Sequence, residues 1–193
     1  MNWNHAMQTF SLPIQLESSR LILRQWKATD FEDFANLNAD PTVMAHFPAT
    51  LSKLESLQLA EKFQTIIAEN GWGFWAVELK KNHQFIGFVG LQNQPTRFSF
   101  SPCVEIGWRL AQQFWHQGYA TEAAQVCLKF AFEQLALEEV VSFTAMSNVP
   151  SQQVMQRLGM QYIKNFIHPA LDVKHPLAKH LLYSMQNPNV LEQ

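Results

Sequence analysis

The sequence predicts an α/β fold in one domain: a mixed sheet with helices on both faces. Three observations predict it. Apolar runs at 74–79, 85–91 and 104–110 follow one another across short turns, the pattern of an antiparallel meander. Strand-like and helix-like segments then alternate from 119 to 185, the pattern of crossover connections at the sheet centre. The length, 193 residues, suits one domain with short flanking segments.

The elements follow in order. Residues 1–16 read as a lead-in, 17–186 as the domain and 187–193 as a tail. Leu21-Ile22-Leu23, running to Arg24, is a first strand. Thr29 and Asp30 are N-cap candidates for a helix carrying Phe31, Phe34, Ala35 and Leu37, stopped by Pro41. A second helix spans 52–68, with Leu54, Leu57, Ala60, Phe63 and Ile67 on one stripe and Asn70-Gly71 as its stop. The three meander strands follow, with Asn82-His83 as one turn and a loop at Pro95. Ala120, Ala123, Ala124, Cys127, Phe130, Ala131 and Leu135 recur at three and four, so 119–136 is a helix. A strand at 140–145, a helix at 149–158 closed by Gly159, and strands at 162–167 and 181–185 complete the chain.

Composition excludes several classes. Hydrophobic residues make up 47% and charged residues 16%, with 15 Phe and 6 Trp, so the chain is not a disordered one. Fourteen Lys and Arg against 16 Asp and Glu give a net charge of -2, which argues against a polybasic nucleic-acid binder. No window reaches the ~20 apolar residues of a membrane helix, and the N-terminus has neither the basic start nor the apolar run of a signal peptide. The cytoplasm is the expected compartment. Cys103 and Cys127 are too few for a disulfide framework and read as small core residues.

Three features carry candidate chemistry. Trp115 to Ala123 links a strand to a helix through Gly118, which exposes free N–H groups and a positive dipole end, an arrangement suited to phosphate. The same residues also fit an ordinary helix start. Asn148 follows a strand and begins a helix, as a cap or as a ligand contact. Glu105 lies inside a strand, where carboxylates are depleted; it is either solvated or a general base with a raised pKa. His168, Asp172, His175 and His180 lack the spacing of common zinc motifs, and no metal site is expected.

Together, several segments resemble the GNAT superfamily of acetyl-coenzyme A-dependent N-acetyltransferases, most of all its branch of RimJ- and RimL-type ribosomal-protein N-terminal acetyltransferases. These segments are Glu17 to Arg24, Asp40 to Met44, Gly71 to Val77, Phe85 to Leu91, Val104 to Leu110, Gln117 to Ala124, Asn148 with Ser151, and Leu158-Gly159-Met160. They cover roughly residues 17 to 185, and their order and spacing are more specific than any one piece. The resemblance implies a mostly antiparallel sheet with a parallel splayed pair at the coenzyme site.

It also implies roles. The superfamily's pyrophosphate loop, Gln/Arg-x-x-Gly-x-Gly/Ala, falls on Trp115 to Ala120, with Trp115 departing from the pattern. The backbone of His116, Gln117, Gly118, Tyr119, Ala120 and Thr121 would hold the diphosphate of acetyl-coenzyme A. Trp108, Arg109 and Leu110 would pair with the pantetheine arm, with Asn148 and Ser151 beside it. Glu105 would remove a proton from a primary amine, which attacks directly in a ternary complex. Many members place a tyrosine seven residues after that asparagine as general acid; here the residue is Met155, which donates no proton. That leaves Ser151 or water for the role, or an unprotonated thiolate, since a thiol pKa is ~8.5. The acceptor is a protein N-terminus or a small molecule, the first two helices and the 168–180 loop bordering its cleft. The protein is a monomer or homodimer. The alternative is a non-catalytic coenzyme A-binding regulatory module.

Overall fold

The computed structural model describes residues 8–188. Eight strands form one sheet: β1 (Leu16–Glu17), β2 (Leu21–Arg24), β3 (Phe74–Leu79), β4 (Phe85–Gln94), β5 (Cys103–Leu110), β6 (Glu139–Ala145), β7 (Gln161–Ile167) and β8 (Lys179–Gln186). The helices are α1 (Phe31–Ala39), α2 (Lys53–Asn70), α3 (Tyr119–Glu133) and α4 (Val149–Arg157). Strand order is β1-β2-β3-β4-β5-β6-β8-β7, and only β5 and β6 are a parallel neighbouring pair. The meander β3-β4-β5 is antiparallel, as its short turns predict.

Alternation along β3 sends neighbouring side chains to opposite faces. Phe74 meets Phe63 of α2, with ring centroids 5.1 Å apart, whereas Trp75 meets Phe130 of α3 at 5.6 Å. Helices therefore cover both faces, α1 and α2 on one and α3 on the other. Cross-strand pairing carries the first face along Phe88 and Arg109, and by alternation to Gly107 and Glu105. Gly90 lies where β4 passes β3 so closely that a Cβ would come within 2.0 Å of the Gly73 carbonyl oxygen, so no larger residue fits.

Local signals bound α2 at both ends. Ser52 and Glu55 form a reciprocal capping box at the start of α2, and Gly71, at φ 82°, ends it. The buried stripe of α2 is Ser56, Ala60, Phe63 and Ile67; Leu54 is 63% exposed, because Ser56 turns inward to accept a hydrogen bond from Asn38. α3 ends at Glu133, before the expected 136, and Ala136 is left-handed at φ 51°.

One larger difference concerns topology. The alternation after residue 119 predicts adjacent parallel crossovers, but β8 lies between β6 and β7 and pairs antiparallel with both. Segment 8–15 is anchored: the Trp75 indole donates to the Ile14 carbonyl at 2.8 Å, and Phe10 stacks near Phe130. At the other end, Asn187 is buried and donates through its backbone to Glu138 at 2.7 Å. The remainder of the expected lead-in and tail lies outside the described residues. Among the described residues, no helix is long and apolar enough to cross a membrane.

Candidate active site

The first part of the site is the start of α3. Gly118 is its N-cap at φ 82°, a left-handed conformation that costs a residue with a Cβ roughly 1–2 kcal/mol. His116 is also left-handed, at φ 59°. The first intrahelical bond runs from the Glu122 N–H to the Gly118 carbonyl at 3.0 Å. The N–H groups of Tyr119, Ala120 and Thr121 therefore have no intrahelical acceptor and sit at the positive end of the helix dipole. His116, Gln117 and Gly118 are exposed, so this end is open to an anion.

Glu122 fixes the helix start in place. Its carboxylate accepts from Ser18 Oγ at 2.7 Å, Ser19 Oγ at 2.9 Å and the Arg20 backbone N–H at 2.9 Å, and pairs with the Arg20 guanidinium at 2.6 Å. Burial alone would raise its pKa; the hydrogen bonds from Ser18, Arg20 and Ser19 hold it down at about 2. The Arg20 guanidinium also lies 4.4 Å from the centre of the Tyr119 ring.

The second part is the gap between β5 and β6. Their ladder has one register pair among the described residues, Glu105 with Val141. Just beyond it, Ser142 Oγ of β6 donates to the Ile106 carbonyl at 2.9 Å, and no second register pair joins the two strands among the described residues. The Ala111 N–H donates to Ile86, so by the antiparallel alternation the Arg109 backbone also faces β4, while Trp108 and Leu110 turn theirs toward β6. The Trp115 indole donates to the Leu110 carbonyl at 2.8 Å. The Trp108 backbone and the Leu110 N–H are the polar groups left on this edge for a ligand entering the gap. Arg109 does not share that orientation; its side chain points to the α1–α2 face.

Across the gap, Asn148 caps α4. Its Oδ1 accepts from the Ser151 N–H at 3.2 Å, and its Nδ2 donates to Thr144 Oγ1 at 2.9 Å. One amide hydrogen and one lone pair remain for a further contact. Ser151 is half-buried in the first turn of α4, on a different element from Glu105. Met155 is 1% exposed and packs in the core.

The third part is Glu105 itself, on the face opposite α3. Burial raises its pKa to about 7, against the pull of a 2.7 Å hydrogen bond from Gln94 and the charge of Arg97. Burial, with Glu105 nearby, also pushes the Cys103 thiol up to about 11, so Cys103 stays protonated and is no nucleophile at neutral pH. An aromatic wall stands beside this pair: Phe98 and Phe100 stack at 5.0 Å, against Phe143 and Phe166. His168 and His180, ring centroids 4.9 Å apart, join the wall, and burial with the charges of His180 and Arg97 lowers His168 to about 4. Asp172 and His175 accept backbone N–H bonds in the turns of the 168–178 loop.

Sequence reading left two residues of this site unremarked. Gln94 lies past the expected strand at 85–91, yet β4 continues through Gln92, Asn93 and Gln94, and the alternation sets Gln94 diagonal to Glu105. Glu122 lies inside a recognised segment, but its partners are more than 100 residues away, beyond any local signal.

Comparison with known proteins agrees with this geometry. FsC-acetyl coenzyme A-N(2)-transacetylase of Aspergillus fumigatus is 28% identical over 170 residues, covering 80% of this chain and 72% of that protein. A GNAT-family acetyltransferase from Bacillus anthracis superposes with a TM-score of 0.76 at 21% identity, covering 90% of this chain and 99% of that one. The ribosomal-protein-S5-alanine acetyltransferase from Vibrio fischeri superposes with a TM-score of 0.67 at 22% identity, over 91% and 98% of the two chains. The family model described as the acetyltransferase (GNAT) domain matches residues 20–161, most of the chain and every strand from β2 to β6. The chain belongs to the GNAT acetyltransferase family.

Proposed function

We propose that this enzyme transfers acetyl from acetyl-coenzyme A to a primary amine by direct attack in a ternary complex, acting in the cytoplasm. The observation that carries the reading is the position of Glu105: it forms the one register pair of β5 with its parallel neighbour β6 among the described residues, with its carboxyl raised to about 7. Acetyl-coenzyme A supplies the acetyl group as a thioester. The free N–H groups of Tyr119, Ala120 and Thr121 would hold its diphosphate, with the exposed backbone of His116, Gln117 and Gly118 beside them. The Trp108 backbone and the spare polar capacity of Asn148 would line the pantetheine arm.

Glu105 then serves as the base. An amine must be neutral to attack, and a carboxylate titrating near 7 takes its proton without being locked in one charge state. Ser151, on the first turn of α4, gives its backbone N–H to the Asn148 cap and carries a hydroxyl there. Ser151 or a water then protonates the departing thiolate, because the Met155 side chain carries no proton to give.

Both a protein N-terminus and a small amine remain open as acceptor, because one relative is named for ribosomal-protein alanine acetylation and another for N(2)-transacetylation. The direct test is acetyl-coenzyme A titration followed by a screen of amines and short peptides for mass gain. At 100 times Kd the coenzyme should stabilise the fold by about 2.7 kcal/mol, a clear melting shift. A melting curve unmoved by millimolar acetyl-coenzyme A overturns the reading. Binding without acetyl transfer to any amine would favour the non-catalytic module.

A further inference from the structure

Arg109 is mostly buried on the α1–α2 face, the face of Glu105, yet has no acidic partner among the described residues. Its Nη1 donates to Asn38 Oδ1 at 2.6 Å. Its Nε is buried without any hydrogen-bond partner. The guanidinium lies 4.1 Å from the centre of the Phe47 ring and 5.4 Å from that of Phe88. Burial lowers its pKa to about 10, so it is cationic at neutral pH. Elsewhere in the same sheet the buried Arg24 is fully paired, with Asp30 at 2.7 Å and Glu78 at 2.5 Å. An uncompensated buried cation weakens a fold, and Arg109 gains only one neutral amide and two rings in return.

The arrangement has the form of a receptor. Asn38 and Phe47 hold the plane of the guanidinium, and its Nε–Nη2 edge is left without a partner. Two parallel N–H donors on a fixed plane match a carboxylate. The anion is not the coenzyme diphosphate, whose place in the proposed reading is the α3 start on the opposite face. We infer that Arg109, held by Asn38 and Phe47, is a carboxylate subsite for the acceptor, so that the preferred substrate is an amine that carries a carboxylate. Glu105 and Arg109 are four residues apart on one strand, about 13 Å between Cα atoms. The amine and the carboxylate are therefore separated by several bonds, as in an ω-amino acid or a peptide whose first residues include Asp or Glu.

This inference rests on the acetyltransferase reading, and the experiment separates the two. The coenzyme A-loaded protein is titrated calorimetrically with ω-amino acids of increasing length and with their amides, and with short peptides carrying Asp or Glu and their Asn or Gln counterparts. At least one carboxylate form should bind about 10- to 100-fold more tightly than its amide, the range for a hydrogen bond to a charged group. The set that shows it, amino acids or peptides, identifies the source. Arg109→Gln should abolish the preference, and Arg109→Lys, which keeps charge but loses the fork, should restore only part of it. Melting curves of Arg109→Gln, which removes the donor to the buried Asn38, check that the variant is folded. The inference is overturned if no carboxylate binds more tightly than its amide, or if Arg109→Gln retains the preference. A loss of acetyl-coenzyme A affinity in Arg109→Gln that matches its loss for acceptors would also overturn it, by assigning Arg109 to the coenzyme. If the acetyltransferase reading itself were wrong, the parent would fail earlier, in binding acetyl-coenzyme A.

Discussion

Gln94 Nε2 donates to Glu105 Oε2 at 2.7 Å, diagonally across the β4–β5 ladder. This bond stabilises the carboxylate form while burial opposes it, so a neighbour on β4 helps decide where Glu105 titrates.

Replacing Gln94 by Leu should therefore raise the Glu105 pKa further. The acidic limb of the kcat/KM profile should move to higher pH, with acetyl-coenzyme A affinity kept. A profile identical to that of the parent would separate Gln94 from the titration of Glu105.

Glu105→Gln should lower turnover at pH 7 by about 10²- to 10⁴-fold, the usual range for a general base. A lysine-like amine, with a pKa of about 10.4, should suffer more than a peptide α-amine near 7.7–8.0, and raising the pH should rescue both. A defect unchanged at pH 9 would point to substrate positioning instead.

The same variant gives a test that needs no substrate. Glu105 has a raised folded pKa, so the folded state favours its protonated form. As pH rises from the unfolded value near 4.5 through about 7, the native protein must ionise a buried group and loses stability relative to the unfolded chain. Glu105→Gln should thus melt higher than the parent at pH 8, by up to about 3 kcal/mol, and show no gain at pH 4. Melting curves at the two pH values check it.

Glu122 titrates in the opposite sense. Its depressed pKa, about 2, contributes stability above the unfolded value and loses it as pH falls through about 4.5 to 2. Glu122→Gln should cost about 1–2 kcal/mol at pH 7, after discounting for the half-exposed Arg20, and make the melting point less sensitive to acid. Coenzyme affinity should fall with it, because Ser18–Arg20 no longer hold the start of α3.

Gly118→Ala separates backbone strain from ligand space. A Cβ there meets only Arg20 Nη2, at 3.4 Å, so the cost to the fold comes from φ 82° and is roughly 1–2 kcal/mol. Affinity for acetyl-coenzyme A, measured by titration, should drop beyond that cost if the diphosphate sits on this turn; unchanged affinity would move the phosphate site elsewhere.

Local chemistry made much of this molecule legible in advance. The Gly71 stop, the Asn148 cap and the three meander strands each rest on residues close in sequence, and each forms where the residues indicate. The positive end of α3 was visible for the same reason. The Arg109–Asn38 bond spans 71 residues and the Glu122 contacts span more than 100, so neither leaves a local pattern. The side of the sheet to which Arg109 belongs follows from the β4–β5 register, which strand periodicity alone does not supply. The place of β8 was hidden likewise, since which strand neighbours which is decided by the whole sheet.

That place has a consequence for biosynthesis. As the ribosome delivers the chain, β7 emerges before β8 but has no partner in the sheet until β8 pairs with β6. For that interval β6 is an open edge, and β7, with Tyr162, Ile163 and Ile167 exposed even in the finished fold, is an unpaired apolar strand. The nascent enzyme is thus most vulnerable to association late in translation, when nearly all of its core residues have already been made.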